Sequence, residues 1–539
     1  MFHLKSARTS RCSLAIFAFG VVVFSVGLNS EFIGLQNRFA LFAQEMLRHG
    51  PSLFPTTYGN PYPDYPVTST FLIYLLSLPF GKVTVLSAIL PTAVTSALVM
   101  VVIYRIGALQ SRAWGIGAVL FALFTYEFLD ESRSISLDQY TSLATALCFY
   151  AAYSANVLGR PKRLWLIPLF FVMGFGFRGP IGLVIPAAVT FGFFLWERQY
   201  KRCLILGLTA LCLFALCLAV LLAAAYRQGG GNLVTRVIQA QGASRTGYYR
   251  GNYFYYVVKA FTSYAVSFPL AFVVGIALYK NAPKPRTPSE RLLGHLIFWV
   301  VIVLVGMSIP GSKKTRYILP IVPALSLLAS FVFVHPAAEG LLSQVRRTFL
   351  GFCRIFPIGA GVGAAVLCVP NPYFTAIPAF PGLAVFGLLI ALIVTYPRWS
   401  RRFGEFPKSD SLVIVPAVLA FIALYVWVIS PMTFSRESTR PFAERLDSLL
   451  PAGPATIAFY RIGPDGDDIK LMANVSKPVT PVFIGDAEQL LQQPPQTYFV
   501  ARDVYFDALP DNIVQKAHVR FHGKIGHRDC VVFSLRIDL

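Results

Sequence analysis

Apolar residues fall along the chain in long blocks that are separated by short polar connectors. Each block holds roughly 18 to 24 mostly apolar residues, the length a helix needs to cross about 30 Å of hydrocarbon. Because such blocks recur over most of the chain, a cleaved signal peptide does not account for them. The pattern predicts about thirteen membrane-spanning helices, near residues 12–28, 83–105, 111–128, 139–157, 163–176, 179–196, 203–226, 262–279, 292–308, 317–334, 348–369, 376–396 and 411–430.

The polar connectors predict how these helices are oriented. Lysine and arginine are concentrated in one set of connectors, residues 160–163, 197–202, 280–291, 346–347 and 398–403. Positive loops are typical of the cytoplasmic side, and three basic residues before the first block place the N-terminus there too. Loops 29–82 and 227–261 then fall on the outer face. Residues 311–316 also fall outside although they are basic, which topology alone does not explain.

The character of the chain changes near residue 435. From there to residue 539 the apolar runs shorten and charges return, and short strand-like segments alternate with helical ones. The fold class predicted is therefore a polytopic α-helical membrane protein with a small C-terminal α/β extracytoplasmic domain. Residues 1–434 form the transmembrane domain in this interpretation, and residues 435–539 form a soluble domain on the outer face.

Composition agrees with this organisation. The chain is 55% hydrophobic and 13% charged with a mean hydropathy of +0.61, about half the charged share of an ordinary soluble protein. Its formal net charge of +22 lies largely in the short connectors and forms no continuous basic stripe, which argues against a nucleic-acid partner. Seven of the eight cysteines lie in apolar blocks, so the tail, with Cys530 alone, has no internal disulfide.

Carboxylates at the outer membrane boundary are candidates for catalysis. They include Glu31 after the first block, Asp64 in a loop rich in tyrosine and proline, and Asp138 at the start of the fourth block. An ionisable group at this depth is costly unless it is solvated or paired. Asp138 fits two roles: it caps the helix that follows, or it acts as a general base or acceptor anchor in an outer cavity.

Cations and tyrosines accompany these carboxylates on the outer face. The cations are Arg178, Arg245, Lys313, Lys314 and Arg316. Each could contact lipid phosphate, but as a group they suit the binding of a phosphate that leaves during a reaction. Tyr62, Tyr65 and Tyr248 could belong to an interfacial aromatic belt or could contact a sugar or a lipid chain.

Two other motifs do not indicate sites. Residues 174–179 match Gly-x-Gly-x-x-Gly, but they join two apolar blocks and follow no strand, which excludes a dinucleotide site. His518, His522, His527 and Cys530 are zinc ligands by type, but the apolar residues among them favour two strands of a hairpin.

Four segments in order carry a resemblance to a known family. They are RFALFAQEM at residues 38–46, SISLDQYTSL around Asp138, FRGPIGLVIP at residues 177–186, and KKTRYILPIVP at residues 313–323. Together they resemble the C-type membrane glycosyltransferases that use polyprenyl-phosphate sugars. The nearest branch is similar to the protein mannosyltransferases and the aminoarabinose transferases that modify lipid A. The resemblance covers roughly residues 12–335 and extends to the number of spans and the outer tail.

This chain departs from the family pattern in its first outer loop. The acidic pair that precedes the first motif in the family falls at Leu35 and Gln36, neither of which can act as a base. Glu31, one helical turn earlier, is a substitute. The family's loop lysine is missing near Asp64, and Arg245 and Tyr248 stand where relatives often place histidine. These departures argue against a divalent metal at Asp64, and the sequence predicts no metal ligands.

The resemblance implies a sugar transferase of the cell envelope. It implies that a sugar passes from a polyprenyl-phosphate donor, such as undecaprenyl phosphate carries, to a lipid, glycan or protein acceptor, with inversion at the sugar carbon. The implied location is the outer face of a bacterial inner membrane, with the N-terminus cytoplasmic and the tail periplasmic. Such activity would serve lipid A modification or protein glycosylation. Two alternatives stay open, a flippase or transporter for lipid-linked glycans and a ligase that moves a whole glycan.

Overall fold

The structure is a computed structural model that describes most of the chain. The residues described are 2–28, 31–33, 37–243, 253–280, 287–334, 340–367, 387, 391, 409–451, 453, 455–464, 466–477 and 479–535. Two compact units divide them. The helical unit comprises Met1–Gly27, Pro63–Ser69 and Ile89–Val428, and the sheet unit comprises Leu28–Tyr62, Thr70–Ala88 and Ile429–Leu539.

The described α-helices of six residues or more lie mostly in the first 450 residues. In chain order they are α1 (Phe2–Ser25), α2 (Arg38–His49), α3 (Thr68–Ser77), α4 (Val85–Ala108), α5 (Arg112–Leu123), α6 (Tyr126–Ser132), α7 (Asp138–Val157), α8 (Ile167–Arg178), α9 (Pro180–Trp196), α10 (Tyr200–Ile238), α11 (Tyr255–Ser263), α12 (Ser267–Lys280), α13 (Pro288–Ser308), α14 (Val322–Val334), α15 (Leu341–Leu367), α16 (Ile414–Leu424), α17 (Ser430–Glu437), α18 (Arg440–Leu449) and α19 (Asp467–Met472). A 3₁₀ helix, Thr315–Ile321, leads into α14.

Many of these helices suit a membrane by length and composition. Within the described residues, five helical stretches are long and apolar enough to cross one, and two bent pairs raise the number to seven. One bent pair is α5 with α6, which turns by 76°. A helical membrane protein is thus confirmed. Much of the span predicted at 376–396 lies outside the described residues.

Small residues let helices of the helical unit approach closely. A Cβ atom built on Gly174 of α8 would lie 2.0 Å from the carbonyl oxygen of Gly182 in α9, and one built on Gly182 would lie 2.0 Å from that of Gly174. Real Cβ atoms do not approach an oxygen so closely, so this crossing requires glycine at both positions. The glycines of residues 174–179 therefore serve helix packing and the turn that follows, in agreement with the exclusion of a dinucleotide site.

The sheet unit contains a five-stranded sheet within its described residues. They are β3 (Ala455–Tyr460), β4 (Val479–Ile484), β5 (Tyr498–Arg502), β6 (Ala517–Ile525) and β7 (Arg528–Leu535), in the spatial order β4-β3-β5-β7-β6. The first three are parallel to each other, whereas β7 pairs antiparallel with both β5 and β6. Strands thus form where the alternating apolar segments of the tail predict them, and His518, His522 and Cys530 lie on the predicted hairpin.

The N-terminal loop contributes to this same unit. Its helix α2 carries Leu41, which belongs to the apolar core beside the sheet. A two-stranded hairpin, β1 (Thr56–Thr57) and β2 (Asn60–Pro61), follows. At its turn, the Tyr58 hydroxyl donates a hydrogen bond to the Asp468 carboxylate over 2.9 Å. Sequence-distant segments thus share one hydrophobic core.

Candidate active site

The junction of α8 and α9 positions a buried arginine. Helix α8 ends at Arg178, Gly179 adopts a positive φ of 69°, and Pro180 begins α9. Glycine tolerates this backbone conformation, and proline at the first helical position loses no intrahelical hydrogen bond. The Arg178 side chain is 5% exposed. Burial of a guanidinium requires a partner, because the charge is otherwise taken out of water without compensation.

Asp138 provides that partner and pairs with a second arginine as well. The Arg178 Nε donates to Asp138 Oδ1 over 2.9 Å, and the Arg316 Nε lies 3.3 Å from Asp138 Oδ2. Asp138 starts α7, whereas Arg316 comes from the 3₁₀ helix before α14. Both carboxylate oxygens are therefore occupied by guanidinium groups. Asp138 thus bridges the two guanidinium groups, which keep further N–H donors of their own.

Two tyrosine rings flank Arg178. The guanidinium carbon lies 5.8 Å from the ring centre of Tyr65 and 5.5 Å from that of Tyr317. Aromatic faces attract a guanidinium, and the packing fixes the plane of its fork. A guanidinium has five N–H donors in fixed directions, of which Asp138 uses the Nε donor here. The geometry suits recognition of an oxyanion such as phosphate.

The short helix α6 brings three more carboxylates close to the arginines, two of them buried. Glu127 is 6% exposed and Glu131 is 5% exposed, and they lie four residues apart on one helix face. The Glu131 Oε1 lies 3.9 Å from the Arg316 Nη1. On another face of α6, Asp130 Oδ1 accepts a hydrogen bond from the Tyr425 hydroxyl. The site therefore gathers groups from α6, α7, α8 and the entry to α14.

Helix α6 is also anchored to the end of α1. Arg133 follows α6 directly and donates from Nη1 to the carbonyl oxygen of Val23 over 2.5 Å and from Nη2 to that of Gly27 over 3.0 Å. The last carbonyls of a helix have no intrahelical partner, so a cation there completes their hydrogen bonding. This clamp fixes the segment that carries Glu127 and Glu131.

Several other predicted site residues also lie in the helical unit. The Lys313 ammonium lies 5.5 Å from the Tyr253 ring centre, and Lys314 is exposed and comes just before the 3₁₀ helix. The backbone carbonyl of Asp64 accepts a 2.6 Å hydrogen bond from Gln241. Arg245 and Tyr248 lie outside the described residues.

Two predicted residues belong to the sheet unit. The Glu31 carboxylate accepts a hydrogen bond from the backbone N–H of Arg440 over 2.9 Å. Tyr62 hydrogen-bonds to Arg38, and its ring lies 5.0 Å from that of Phe42. Both residues thus have structural partners within their own unit. No three His, Cys, Asp or Glu side chains in the described part of the chain are arranged to hold a metal ion.

Three members of the cluster were not among the site residues predicted from the sequence. Tyr317 directly follows Arg316 in the KKTRY motif, which is a signal that sequence reasoning could have used. Glu131 stands out only as an outer carboxylate, and Glu127 falls within a predicted span. The bend between α5 and α6 carries both glutamates to the arginines, and the sequence has no glycine or proline at residues 124–125 to mark that bend.

Comparison with known proteins points to one group. Residues 64–226 match the family model described as dolichyl-phosphate-mannose-protein mannosyltransferase. The chain is 25% identical over 399 residues to an undecaprenyl phosphate-alpha-4-amino-4-deoxy-L-arabinose arabinosyl transferase of Sodalis glossinidius, which covers 69% of this chain and 63% of that protein. A Pseudomonas savastanoi transferase of the same name is 24% identical over 61% of this chain and 64% of its own length. The chain thus spans less than two thirds of both relatives.

Solved structures show the same architecture. A crystal structure of ArnT from Cupriavidus metallidurans bound to undecaprenyl phosphate matches with a TM-score of 0.70 and 17% identity, over 96% of this chain and 97% of that one. The apo form of the same protein matches with a TM-score of 0.68 and 15% identity, over 97% and 98%. The fold similarity extends over nearly the whole chain, and the resemblance drawn from the four sequence segments is confirmed.

Proposed function

We propose that this chain, a membrane protein with the fold of the C-type glycosyltransferases, transfers a sugar from a polyprenyl-phosphate carrier to an acceptor at the outer face of the inner membrane. The names of the relatives favour undecaprenyl phosphate as the carrier and an amino sugar as the group transferred. The acceptor class remains that of the sequence prediction, a lipid such as lipid A, a glycan or a protein hydroxyl.

The observation that carries this proposal is the Arg178–Asp138–Arg316 cluster. Two guanidinium groups converge on one buried carboxylate, with aromatic faces beside one of them. Two guanidinium groups side by side offer several N–H donors in fixed directions, which suit an oxyanion such as phosphate. A polyprenyl phosphate supplies one at headgroup depth, where its lipid chain stays in the bilayer. The cluster is thus a binding site for the carrier phosphate.

The same cluster assists the chemical step. When the bond between the anomeric carbon and the phosphate oxygen breaks, its electron pair leaves with the phosphate, which changes from a diester to a monoester and gains negative charge. Arg178 and Arg316 stabilise that charge. Asp138 holds both guanidinium groups in position. Direct attack by an acceptor oxygen from the opposite side inverts the sugar carbon.

Lys313 and Lys314 come shortly before Arg316 in the sequence and add positive charge to that segment. Arg245 adds a further positive charge from the large outer loop. Through them the outer boundary of the membrane becomes attractive to an anionic carrier. Tyr65 is the aromatic residue placed to contact the first sugar or the lipid phosphate, since its ring faces Arg178. Asp64, Glu31, Tyr62 and Tyr248 complete the set of candidates from the outer loops.

The topology belongs to this proposal as well. About thirteen spans, as the hydropathy pattern predicts, would place the N-terminus in the cytoplasm and residues 435–539 outside. Residues 1–434 then form the catalytic membrane domain. The basic connectors support this orientation through their bias toward one side. The basic segment 311–316 lies outside because its arginine serves the phosphate site.

Reconstitution tests the function directly. Purified protein is placed in nanodiscs with a lipid extract of the source membrane, which supplies donor and acceptor together. Mass spectrometry follows the release of free polyprenyl phosphate and the gain of one sugar mass on another component. Transfer by the wild-type protein, with a loss of about 100-fold or more in Arg178→Gln, supports the proposal. Equal rates for wild type and Arg178→Gln contradict it.

A further inference from the structure

We propose that Glu131 is the general base that accepts the proton of the attacking acceptor hydroxyl. This inference rests on the proposed sugar transfer and assigns its missing catalytic group. Glu131 is 5% exposed, and its Oε2 makes no hydrogen bond to any described residue. A buried carboxylate oxygen that lacks a hydrogen-bond donor lowers the stability of the folded protein. Its presence here indicates a donor that arrives with the substrate.

Two nearby carboxylates are already engaged. Asp138 has an arginine at each oxygen, and Asp130 Oδ1 accepts a hydrogen bond from the Tyr425 hydroxyl. Glu127 is also buried, one helical turn before Glu131. Among the carboxylates of this set, the buried oxygen that lacks a hydrogen-bond donor in the described residues is the Glu131 Oε2, which singles out Glu131 to receive a proton.

Its position relative to the arginines suits this role. The same Arg316 that pairs with Asp138 lies 3.9 Å from the Glu131 Oε1. A phosphate bound by Arg316 therefore places the neighbouring anomeric carbon within a few bond lengths of Glu131, and an acceptor oxygen can lie between them. Glu127, one helical turn earlier on α6, lines the same face. The clamp made by Arg133 keeps both glutamates oriented.

The step balances without any further reactant. The acceptor O–H bond breaks and its proton passes to Glu131, while the acceptor oxygen forms a bond to the anomeric carbon. The bond from that carbon to the phosphate oxygen breaks, and its electron pair remains on the phosphate beside Arg178 and Arg316. Glu131 afterwards releases the proton to water at the outer face.

This assignment also accounts for a peculiarity of the sequence. The acidic pair expected in the first outer loop is replaced by Leu35 and Gln36. Neither side chain can remove a proton near neutral pH. A carboxylate on α6, delivered by the bend after α5, supplies the same chemistry from another element.

The test compares matched variants in nanodiscs loaded with the native lipid extract. Glu131→Gln keeps the shape and removes the basic oxygen, so we expect transfer to fall by about 100-fold or more while undecaprenyl phosphate binding stays within about twofold. Asp138→Asn should weaken that binding, because it releases both arginines. Glu444→Gln, at an exposed pair with Arg440, serves as the control and should transfer normally.

A pH profile and chemical rescue distinguish a catalytic role of Glu131 from a purely structural one. We expect the wild-type rate to rise with pH to a plateau, and Glu131→Gln to lose that rise. The charged and titratable groups facing Glu131 are Asp130, Asp138, Arg316 and Tyr264, and all are unchanged in this variant. Formate should restore part of the rate in Glu131→Ala, which a packing role would not allow.

The outcomes distinguish this inference from the proposed function. If the wild-type protein transfers sugar and Glu131→Gln retains half of that rate, the base assignment is wrong and the transferase stands. If the wild type neither transfers sugar nor binds undecaprenyl phosphate, the function itself fails. Should the variants not fold, carbodiimide labelling of the wild type decides. Modification of Glu131 must then abolish transfer, and full activity after modification overturns the assignment.

Discussion

A single aspartate organises the charges of the candidate site. Asp138 lies at the start of α7, where the helix dipole favours a carboxylate, and both of its oxygens engage arginines. The sequence left open a helix cap and a general base or acceptor anchor. In the structure Leu137 occupies the N-cap position. We propose a third role, in which Asp138 holds Arg178 and Arg316 in position for the phosphate.

The planar fork of Arg178 should matter more than its charge. In Arg178→Lys the charge remains, but a lysine cannot contact Asp138 and a phosphate in two fixed directions or stack between two tyrosines. We expect carrier affinity and transfer to fall about tenfold or more. Titration with undecaprenyl phosphate measures the affinity. Arg160→Lys, in an exposed connector, is the matched control, and a similar affinity in both variants would oppose the assignment.

Cys530 in the sheet unit should be chemically inert. Burial raises the pKa of its thiol to about 12, because the thiolate is disfavoured away from water. A group whose pKa lies far above the working pH stays protonated, and the thiol is a poor nucleophile. At pH 8 we expect maleimide to leave Cys530 unmodified in the folded protein. Peptide mass mapping checks this, with His518→Cys on the exposed side of β6 as the reactive control.

At the scale of elements, the crossing of α8 and α9 sets the position of the site. A Cβ atom at Gly182 would lie 2.0 Å from the carbonyl oxygen of Gly174 and 3.1 Å from the Arg178 Cβ. The helices must therefore separate if Gly182 becomes alanine. Because Arg178 ends α8, that movement would reach the proposed phosphate site.

Gly182→Ala is expected to destabilise the protein by about 1–3 kcal/mol through overpacking. It should also weaken undecaprenyl phosphate binding, since the α8 terminus shifts. Gly207→Ala in α10 is the control, because a Cβ there meets nothing within 4 Å and alanine favours a helix. Thermal midpoints and carrier titrations of both variants provide the comparison. Equal behaviour would show that the crossing tolerates a methyl group.

Some elements could be predicted from sequence and others could not. The start of α7 at Asp138 and the Arg178–Gly179–Pro180 junction follow from local signals. The break between α5 and α6 does not, because tertiary contacts of α6 decide it. Helix α10 likewise continues to Ile238 through three glycines, with a kink at Gly229 and Gly230, where the sequence pattern indicated a loop.

At the scale of the whole molecule, distant parts of the sequence meet in each unit. Asp138, Arg178 and Arg316 are far apart along the chain, and α2 joins a sheet built more than 400 residues later. Periodicity identifies apolar faces but does not specify which faces pair. The sequence could therefore predict residue types for the site, whereas the pairing of Asp138 with Arg178 and Arg316 required the structure.

The proposed orientation makes a prediction for the whole chain. In a protein without native cysteines, His518→Cys should react with a membrane-impermeant maleimide added to spheroplasts, because residues 435–539 lie outside. Arg160→Cys should react only after the membrane is permeabilised. Gel shift or mass mapping reports the labelling. The reverse labelling pattern would show that the topology is inverted and that residues 435–539 do not lie on the outer face.

The most direct test of the phosphate site is a cryo-EM structure of the wild-type protein in nanodiscs with undecaprenyl phosphate. We predict phosphate density in contact with both the Arg178 and Arg316 guanidinium groups, at about 2.7–2.9 Å between nitrogen and oxygen atoms. Asp138 should remain paired behind them. A phosphate bound elsewhere, with Arg178 and Arg316 still closed on Asp138 alone, would contradict the account.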